Sequence, residues 1–240
     1  MTRMSDSVAP ANPRLAPVVT VDGPSGSGKG TLAALLAKRL GWQLLDSGAL
    51  YRIATVAADD AGLPYGEVTS AAEAGAIAAL ARGLDIDFSG GMVRVDGADF
   101  TTRIRTEETS IGASVVAALP SVRAAILDLQ RAMRQFPGLV ADGRDMGTVV
   151  FADAQLKIFL DASPEIRAER RYNQLKNKGL SVNLPDLLAS IQERDERDRG
   201  RAASPLVPAQ DAILIDSTAM SIGAVLERVY AEAKARNPVE

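Results

Sequence analysis

The chain has 240 residues, a net charge of −3 and 47% hydrophobic residues, so it is long enough to bury the core of one ordinary domain. It has no cysteine and no histidine, which excludes disulfide frameworks, thiolate or histidine zinc sites, and catalysis by a Cys or His nucleophile or base. Its acidic balance and 4% aromatic content argue against a nucleic-acid-binding module, and no apolar run approaches the roughly 18 residues of a membrane span.

Residues 1–16 lack the apolar stretch of a signal peptide and are rich in Pro, Ala and Ser, so a mobile N-terminal tail is expected. Five nearly continuous apolar runs follow, and each ends in Asp: Val18–Asp22, Gln43–Asp46, Leu139–Asp142, Leu156–Asp161 and Ile213–Asp216. Such runs are typical of strands that are covered on both faces, as in a parallel sheet. Ligands bind at the carboxyl edge of such a sheet, although any single terminal Asp is more simply a strand-ending residue.

Segments with helical periodicity lie between these runs. Leucines recur on one face of Lys29–Leu40, and Gly41 then occupies the position of a C-terminal cap. Apolar residues also recur at helical spacing in Pro120–Phe136 and in Ser221–Lys234. Strands that alternate with helices predict an α/β fold.

The gap between the second and third runs is too long for a single crossover helix, so residues 62–120 are predicted to form an inserted subdomain. This insert begins with an alanine-rich helix near residues 70–82. Two β-like runs follow, Leu84–Phe88 and Met92–Phe100, with an SGG turn between them. A second, highly charged insert spans about residues 171–201.

A glycine-rich segment connects the first run directly to the first helix; its members are Gly23, Pro24, Ser25, Gly26, Ser27, Gly28, Lys29, Gly30 and Thr31. This is the context of a P-loop, in which backbone N–H groups surround an anion and the helix N-terminus adds partial positive charge. Lys29 would place a full positive charge at the β- and γ-phosphates of a nucleotide. We therefore predict that the segment holds the phosphates of ATP.

The segment departs from the strict P-loop pattern at one position, because Gly30 follows the lysine and the hydroxyl comes one place later, at Thr31. No direct protein ligand to a metal is predicted, and Mg²⁺ is expected to be held mostly through waters and nucleotide phosphates. A P-loop is also shared by GTP switches, ATPases and small-molecule kinases. The Asn177-Lys178 pair lacks the acid of a guanine-reading NKxD element, which argues against a GTP switch.

Three further segments predict a second phosphate-containing ligand. Their polar residues are Ser47, Tyr51 and Arg52 in a turn after the second run; Asp142, Arg144 and Asp145 at the end of the third run; and Arg194, Asp198 and Arg201 at helical spacing. A charge run is by itself more simply a solvated face of ion pairs. However, nine basic residues concentrate in residues 165–201 of an acidic protein. Because arginine binds phosphate oxygens in pairs, we expect a mobile lid that closes over a triphosphate.

The order of the motifs GPSGSGKGT, LLDSGALYR, ADGRDMGTVVF, KIFLDAS and ERDERDR resembles that of bacterial cytidylate kinases. The likeness runs from about Val18 to Tyr230, and the combination of DSGALYR with GRDMGTVVF is much more specific than the P-loop. It implies a P-loop three-layer α/β/α fold with a five-stranded parallel sheet, an NMP-binding insert and a small lid. It also implies phosphoryl transfer from ATP, with Mg²⁺, to CMP and dCMP in pyrimidine nucleotide metabolism.

The resemblance implies a division into a tail at 1–16, core segments at 17–61, 121–170 and 202–240, an NMP-binding insert at 62–120 and a lid region at 171–201. CMP would dock between the core and the insert. The enzyme is expected to be a cytoplasmic monomer whose partners are small nucleotides, with no nucleic acid and no membrane.

The residues that match the family's motifs would form three groups, each of which contacts a different part of the acceptor nucleotide. The acceptor phosphate would be held by Arg52 and Arg144, with Tyr51 packed nearby. The cytosine would face Ser47, Ser114, Arg123 and Asp145. The lid would supply Arg194 and Asp198 to phosphate and ribose, and Arg201 to support the base-reading acid.

Transfer to a phosphate acceptor needs no general base, because a phosphate monoester with a second pKa of about 6 is already anionic near neutral pH. The catalytic set is then Lys29, Arg144, Arg194 and Asp142, with Asp142 either in the outer shell of Mg²⁺ or simply capping its strand. Asp145 would accept from the cytosine amino group and so reject uracil. Two alternatives stay open: a P-loop kinase of another small acceptor, and a nucleotide-binding regulator without transfer.

Overall fold

The computed structural model of the protein describes residues 15–66, 69–88, 92–177, 179 and 181–236. In chain order its strands and helices are β1 (Val18–Asp22), α1 (Lys29–Leu40), β2 (Gln43–Asp46), α2 (Ser47–Asp60), α3 (Ala71–Gly83), β3 (Ile86–Asp87), β4 (Arg94–Val95), β5 (Ala98–Asp99), α4 (Glu107–Val116), α5 (Pro120–Ala132), β6 (Leu139–Gly143), β7 (Leu156–Asp161), α6 (Pro164–Lys176), α7 (Leu184–Arg199), β8 (Ile213–Asp216) and α8 (Ile222–Arg236). A 3₁₀ turn at Arg103–Arg105 and a π-helical turn at Met146–Val150 complete the regular structure of these residues.

The central sheet has five strands in the order β2-β6-β1-β7-β8, and every neighbouring pair is parallel. All five predicted strands are confirmed, and the third extends one residue further than expected, to Gly143. The carboxyl ends of β1 and β6 lie side by side in the register Asp22–Gly143. This brings the P-loop after β1 next to the polar segment after β6.

The sheet is covered by helices on both faces, which explains why its strands lack polar alternation. Val19 and Val21 pack in one hydrophobic cluster with residues of α1 and α8. Val18, Leu45 and Ala141 pack in a second cluster with residues of α2, α3, α4 and α5. The predicted three-layer α/β/α fold is therefore confirmed.

The segment between α2 and α5 contains α3, α4 and a small antiparallel sheet of order β3-β4-β5. Its apolar side chains, including Val93 and Phe100, pack on Ile53 and Val56 of α2. The expected strand Met92–Phe100 is instead a hairpin, because the chain turns through Asp96 and Gly97 at φ 50 and 81. The predicted SGG turn, residues 89–91, lies outside the described residues.

Several element ends differ from the sequence expectation. The helix predicted as Pro120–Phe136 ends at Ala132, four residues earlier than expected. The prediction was in any case too long at Phe136, because a residue that precedes proline disfavours the α conformation. The polar turn expected at Ser47 is instead the start of α2, which Asp46 caps by accepting a hydrogen bond from the Ala49 N–H at 3.1 Å.

Most of the predicted tail, residues 1–14, lies outside the described residues. Ala16, at the end of that prediction, is buried, and its carbonyl accepts a hydrogen bond from Arg134 Nε at 2.7 Å. The last residue of the predicted tail is therefore anchored to the core.

Within the described ranges, no single helix is long and apolar enough to cross a membrane. The pair formed by α4 and α5 meets the length and composition criteria together, but its two helices are bent by 103°.

Candidate active site

A cavity of about 1110 Å³ opens at the carboxyl edge of the central sheet, between the P-loop, α2, α4 and α7. It brings together nearly all the residues that the sequence singled out. Those that line it are Ser25, Gly26, Ser27, Gly28, Lys29, Gly30, Thr31, Ser47, Tyr51, Arg52, Ser114, Arg123, Asp142, Arg144, Asp145, Arg194, Asp198 and Arg201. Gly23 and Pro24 are not part of the lining.

The lining of this cavity is strongly basic. It includes ten Lys or Arg side chains and six Asp or Glu side chains, in a protein whose net charge is −3. Positive charge is thus concentrated in a cavity, where the low-dielectric protein walls screen it less than bulk water would. The arrangement suits a ligand that carries several negative charges, such as a nucleotide or a pair of nucleotides.

The P-loop occupies one end of the cavity and leads directly into α1, which begins at Lys29. The Lys29 ammonium is buried and donates a hydrogen bond to the Pro24 carbonyl at 3.0 Å. Gly26 has a φ of 79, a conformation that side-chain-bearing residues seldom adopt. Burial, and secondarily the Arg144 charge, lower the pKa of Lys29, while Asp142 opposes this shift. A polyanion at this place would restore the full lysine charge.

Asp142, at the end of β6, lies directly against the P-loop. A side chain at position 30 would place its Cβ 3.1 Å from Asp142 Oδ2, so the glycine leaves room for this carboxylate. Asp142 Oδ1 is buried and has no hydrogen-bond partner among the described residues. Burial raises the pKa of Asp142, and Lys29 opposes that rise. An acid held so close to the P-loop, with an unsatisfied oxygen, is suited to a hydrated cation.

At the other end of the cavity, Asp145 forms a buried ion pair with Arg123, a residue of α5. Arg123 also donates to the Ala117 carbonyl at 3.1 Å, so the position of its guanidinium group is fixed. Ser114, on α4, is buried in the same part of the lining, and its hydroxyl has no partner among the described residues. The group presents a carboxylate, a guanidinium and a hydroxyl together, as recognition of a polar base edge requires.

Asp198 of α7 links two arginines of the cavity. Its carboxylate accepts from Arg144 Nε at 2.9 Å and from Arg201 Nη2 at 2.5 Å. Although burial opposes the shift, Arg144, Arg201 and Arg194 lower the pKa of Asp198 to about 2. Helix α7 ends at Arg199, so Arg201 lies beyond the helix whose face it was expected to share, but it still reaches Asp198.

A second bridge is formed by Ser110 of α4. Its hydroxyl accepts from Arg194 Nη1 at 2.8 Å and from Arg52 Nη2 at 3.4 Å. Arg194 also reaches the hydroxyl of Ser25 in the P-loop at 3.4 Å. Two guanidinium groups of the lining, one from α2 and one from α7, are thus held by the same serine of α4.

Most of the buried polar atoms that lack a hydrogen-bond partner among the described residues belong to residues that line the cavity. Seven buried side-chain nitrogen or oxygen atoms lack a hydrogen-bond partner in the described part of the chain, and five of them belong to lining residues. These five are Ser27 Oγ, Ser114 Oγ, Asp142 Oδ1, Arg194 Nε and Arg201 Nε. Because leaving such a group unpaired costs about 1–3 kcal/mol, their concentration indicates that a polar ligand completes them.

Two of the expected acceptor residues have partners within the protein. Ser47 accepts a hydrogen bond from Gln130 Nε2 at 2.8 Å. Tyr51 is buried, and Arg123 lies over its ring at 5.7 Å. Burial raises the pKa of Tyr51 to about 12, so its hydroxyl stays protonated.

Three further residues in or next to the cavity were not singled out from the sequence. Asp22, at the end of β1, accepts from the backbone N–H groups of Met146 and Gly147 at 2.9 and 2.8 Å and so holds the segment that follows Asp145. Arg170 lines the cavity and donates to the Ser27 carbonyl at 3.1 Å. Asp22 is one of the five strand-ending acids and Arg170 one of the clustered basic residues, but Ser110 has no distinguishing pattern.

The chain is similar to known proteins over most of its length. The family model for cytidylate kinase matches residues 19–235. A cytidylate kinase of Aeromonas hydrophila is 56% identical over 226 residues, which cover 92% of this chain and 96% of that protein. One of Pseudomonas aeruginosa is 57% identical over 219 residues, with coverage of 89% and 93%. Among solved structures, an uncharacterized protein from Eubacterium ventriosum has a TM-score of 0.50 at 11% identity, covering 92% of this chain and 99% of that one, and supports the fold alone.

Proposed function

The chain belongs to the cytidylate kinase family, and from this premise we propose that it transfers the terminal phosphoryl group of ATP to CMP and dCMP, forming ADP and CDP or dCDP. One observation carries the proposal. A single basic cavity is lined by the P-loop, by the buried Arg123–Asp145 pair and by arginines of α2 and α7. The cavity therefore offers a phosphate cradle, a base-reading group and further cations together.

ATP is proposed to lie with its phosphates on Gly23–Thr31, where the backbone amides and the N-terminus of α1 attract anions. Lys29 would contact the β- and γ-phosphates in place of its present bond to the Pro24 carbonyl. The ammonium group then remains paired throughout the reaction, because one acceptor replaces another.

CMP is proposed to lie with its phosphate among Arg52, Arg144 and Arg194. These three guanidinium groups belong to α2, the segment after β6, and α7, so the phosphate would be held from three sides. The acceptor oxygen is already anionic near neutral pH, and no base is needed. The work of the protein is to align two polyanions that repel each other and to neutralise the charge that develops on the transferred group.

The cytosine is proposed to be read by Asp145, Arg123 and Ser114. One oxygen of Asp145 is engaged by Arg123, and the other is available to accept from the cytosine amino group. Arg123 and the unpartnered hydroxyl of Ser114 can donate to the ring acceptors. Uracil carries a carbonyl in place of the amino group and would leave the carboxylate unpaired, so UMP should be a poor acceptor.

Mg²⁺ is proposed to bind at the unpartnered oxygen of Asp142, through water, beside Gly30 and Thr31. When bound, the ion would neutralise charge on the ATP phosphates. The chain's contribution is a carboxylate at a fixed distance from the P-loop and the open space that Gly30 leaves. We further propose that the enzyme is a cytoplasmic monomer and that residues 62–120 and 171–201 act as its NMP-binding insert and lid.

The proposal is tested by measuring ADP formation with ATP, Mg²⁺ and each of CMP, dCMP, UMP, AMP and GMP. We expect CMP and dCMP to have values of kcat/KM at least ~10²-fold above those of the other three, since a mismatched polar edge costs about that much. Preference for a purine acceptor would contradict the base-reading assignment. Tight nucleotide binding with no transfer to any acceptor would favour a regulatory protein instead.

A further inference from the structure

The largest fully buried side chain among the described residues is charged: Arg167, on α6, is 1% exposed. It does not line the cavity, so the proposed reaction gives it no direct role. Its partner Asp195, on α7, is also buried, at 3% exposure. Burying an ion pair is costly and gives little net stability compared with an apolar pair of the same size. The pair therefore needs an explanation other than stability.

Arg167 connects three parts of the structure. Its Nε donates to the Ala162 carbonyl at 2.9 Å, just before α6. Its Nη1 donates to the Ser25 carbonyl of the P-loop at 3.0 Å. Both terminal nitrogens donate to the Asp195 carboxylate, at 3.0 and 2.5 Å. This two-point geometry fixes the orientation of the guanidinium plane as well as its position.

On the P-loop side, Arg167 determines the path of the backbone. A Cβ at Gly26 would lie 3.0 Å from Arg167 Cβ, so the loop rests directly on this side chain. The C=O and N–H of a trans peptide point in opposite directions. Holding the Ser25 carbonyl therefore also sets the direction of the Gly26 N–H, one of the donors of the proposed phosphate cradle.

On the α7 side, Asp195 sits between two residues of the cavity. Arg194 precedes it directly, and Asp198 follows one turn later. Asp198 in turn holds Arg144 and Arg201. Fixing Asp195 thus sets the rotation of α7 about its axis and its position along that axis. Arg194 also contacts the hydroxyl of Ser25, the residue whose carbonyl accepts from Arg167.

We infer that Arg167 and Asp195 form a positioning pair that aligns the P-loop with the arginines of α7. The inference rests on the proposed function, because it concerns how ATP phosphates and Arg194 are brought into register. It predicts that the pair matters for transfer and for ATP binding even when the protein is stably folded without it. If the pair served only to stabilise the fold, a variant that lacks the pair but stays folded would keep wild-type activity.

The test replaces both charges at once, in Arg167→Met/Asp195→Leu, because changing one partner alone would leave a buried charge unpaired. We expect the variant to stay folded at the assay temperature, although the Ala162 and Ser25 carbonyls lose a donor. We also expect a kcat/KM for CMP phosphorylation lower by about 10²-fold and weaker binding of a fluorescent ATP analogue. The matched control is Arg134→Met/Asp153→Leu, which removes an ion pair of 2.7 Å outside the cavity. It should leave kcat/KM and analogue binding unchanged.

A double variant that is stable and keeps wild-type kinetics and analogue binding would overturn the inference. If the double variant does not fold, Asp195→Asn, which keeps the shape but weakens the two-point contact, is measured in the same way. A folded Asp195→Asn protein with wild-type values of KM for ATP and of kcat would also overturn it. Analogue binding is measured without CMP, so failure of the wild type to phosphorylate CMP would count against the proposed function and not against this inference.

Discussion

The most informative substitution in the base-reading group is Asp145→Asn. Asp145 is 3% exposed and paired with Arg123, and the asparagine has the same shape but turns one carboxylate oxygen into a hydrogen-bond donor. Towards cytosine, the variant would present an N–H to the amino group. Towards uracil, it would present the same N–H to a carbonyl oxygen, which is a favourable pairing.

The size of the effect follows from the burial and charge of the contact. A hydrogen bond to a charged group contributes about 1.5–3 kcal/mol, which corresponds to about 10- to 150-fold in kcat/KM for CMP. UMP loses nothing and gains a neutral hydrogen bond of about 1 kcal/mol, or about 5-fold. The ratio of kcat/KM for CMP to that for UMP should therefore fall by about 50- to 750-fold.

The assay is steady-state kinetics with both acceptors, together with thermal unfolding to confirm that the variant folds. Asp153→Asn is the matched control, because that carboxylate also pairs with an arginine, Arg134, but lies outside the cavity. The control should leave the ratio unchanged. If Asp145→Asn lowered kcat/KM for both acceptors equally, the base would be read elsewhere and the reasoning would be refuted.

Three further predictions concern the lysine of the P-loop, the Ser114 hydroxyl proposed to contact the cytosine, and the pH dependence of stability. Lys29→Ala should lower kcat by at least ~10³-fold while the melting temperature changes little, since among the described residues the ammonium donates only to the Pro24 carbonyl; appreciable residual transfer would contradict its role. Ser114→Ala should lower kcat/KM for CMP by about 5-fold and leave KM for ATP unchanged; an effect on ATP alone would contradict the assignment. Burial raises the pKa of Asp22 to about 7 from 3.8, so its stabilising contribution is full below about pH 4 and is lost as pH rises through 7, on the order of 4 kcal/mol at most. Urea unfolding should show this loss between about pH 4 and pH 7 in the wild type and not in Asp22→Asn; an identical loss in the variant would mean that another group is responsible.

The sheet and the P-loop were predictable because local physics determines them. Both faces of the sheet are buried, so its strands appear in the sequence as continuous apolar runs. The third strand extends one residue beyond its run, to Gly143, because glycine adds no apolar side chain to the pattern. Helix α1 was predicted with its bounds because glycines flank it and Gly41 closes it in the left-handed conformation. The Met92–Phe100 run was misread because its alternation continues through a turn residue, Asp96, that tolerates positive φ.

The candidate site was predictable as a set of residues but not as a set of contacts. Arg144 and Asp198 were both identified, but their ion pair joins positions 54 residues apart and depends on how α7 packs on the sheet edge. Ser110 was missed because a serine in a helix has no pattern of its own until two arginines converge on it. Arg167 was counted as one charge of a basic segment, whereas its complete burial is a property of the packed structure.

The most direct measurement of the central claim is the fate of the γ-phosphate of labelled ATP incubated with the purified protein, Mg²⁺ and CMP, followed by separation of the nucleotides. The label should appear in the β-phosphate of CDP, in an amount equal to the ADP formed. Label recovered as free phosphate, or ADP formed without CDP, would contradict it.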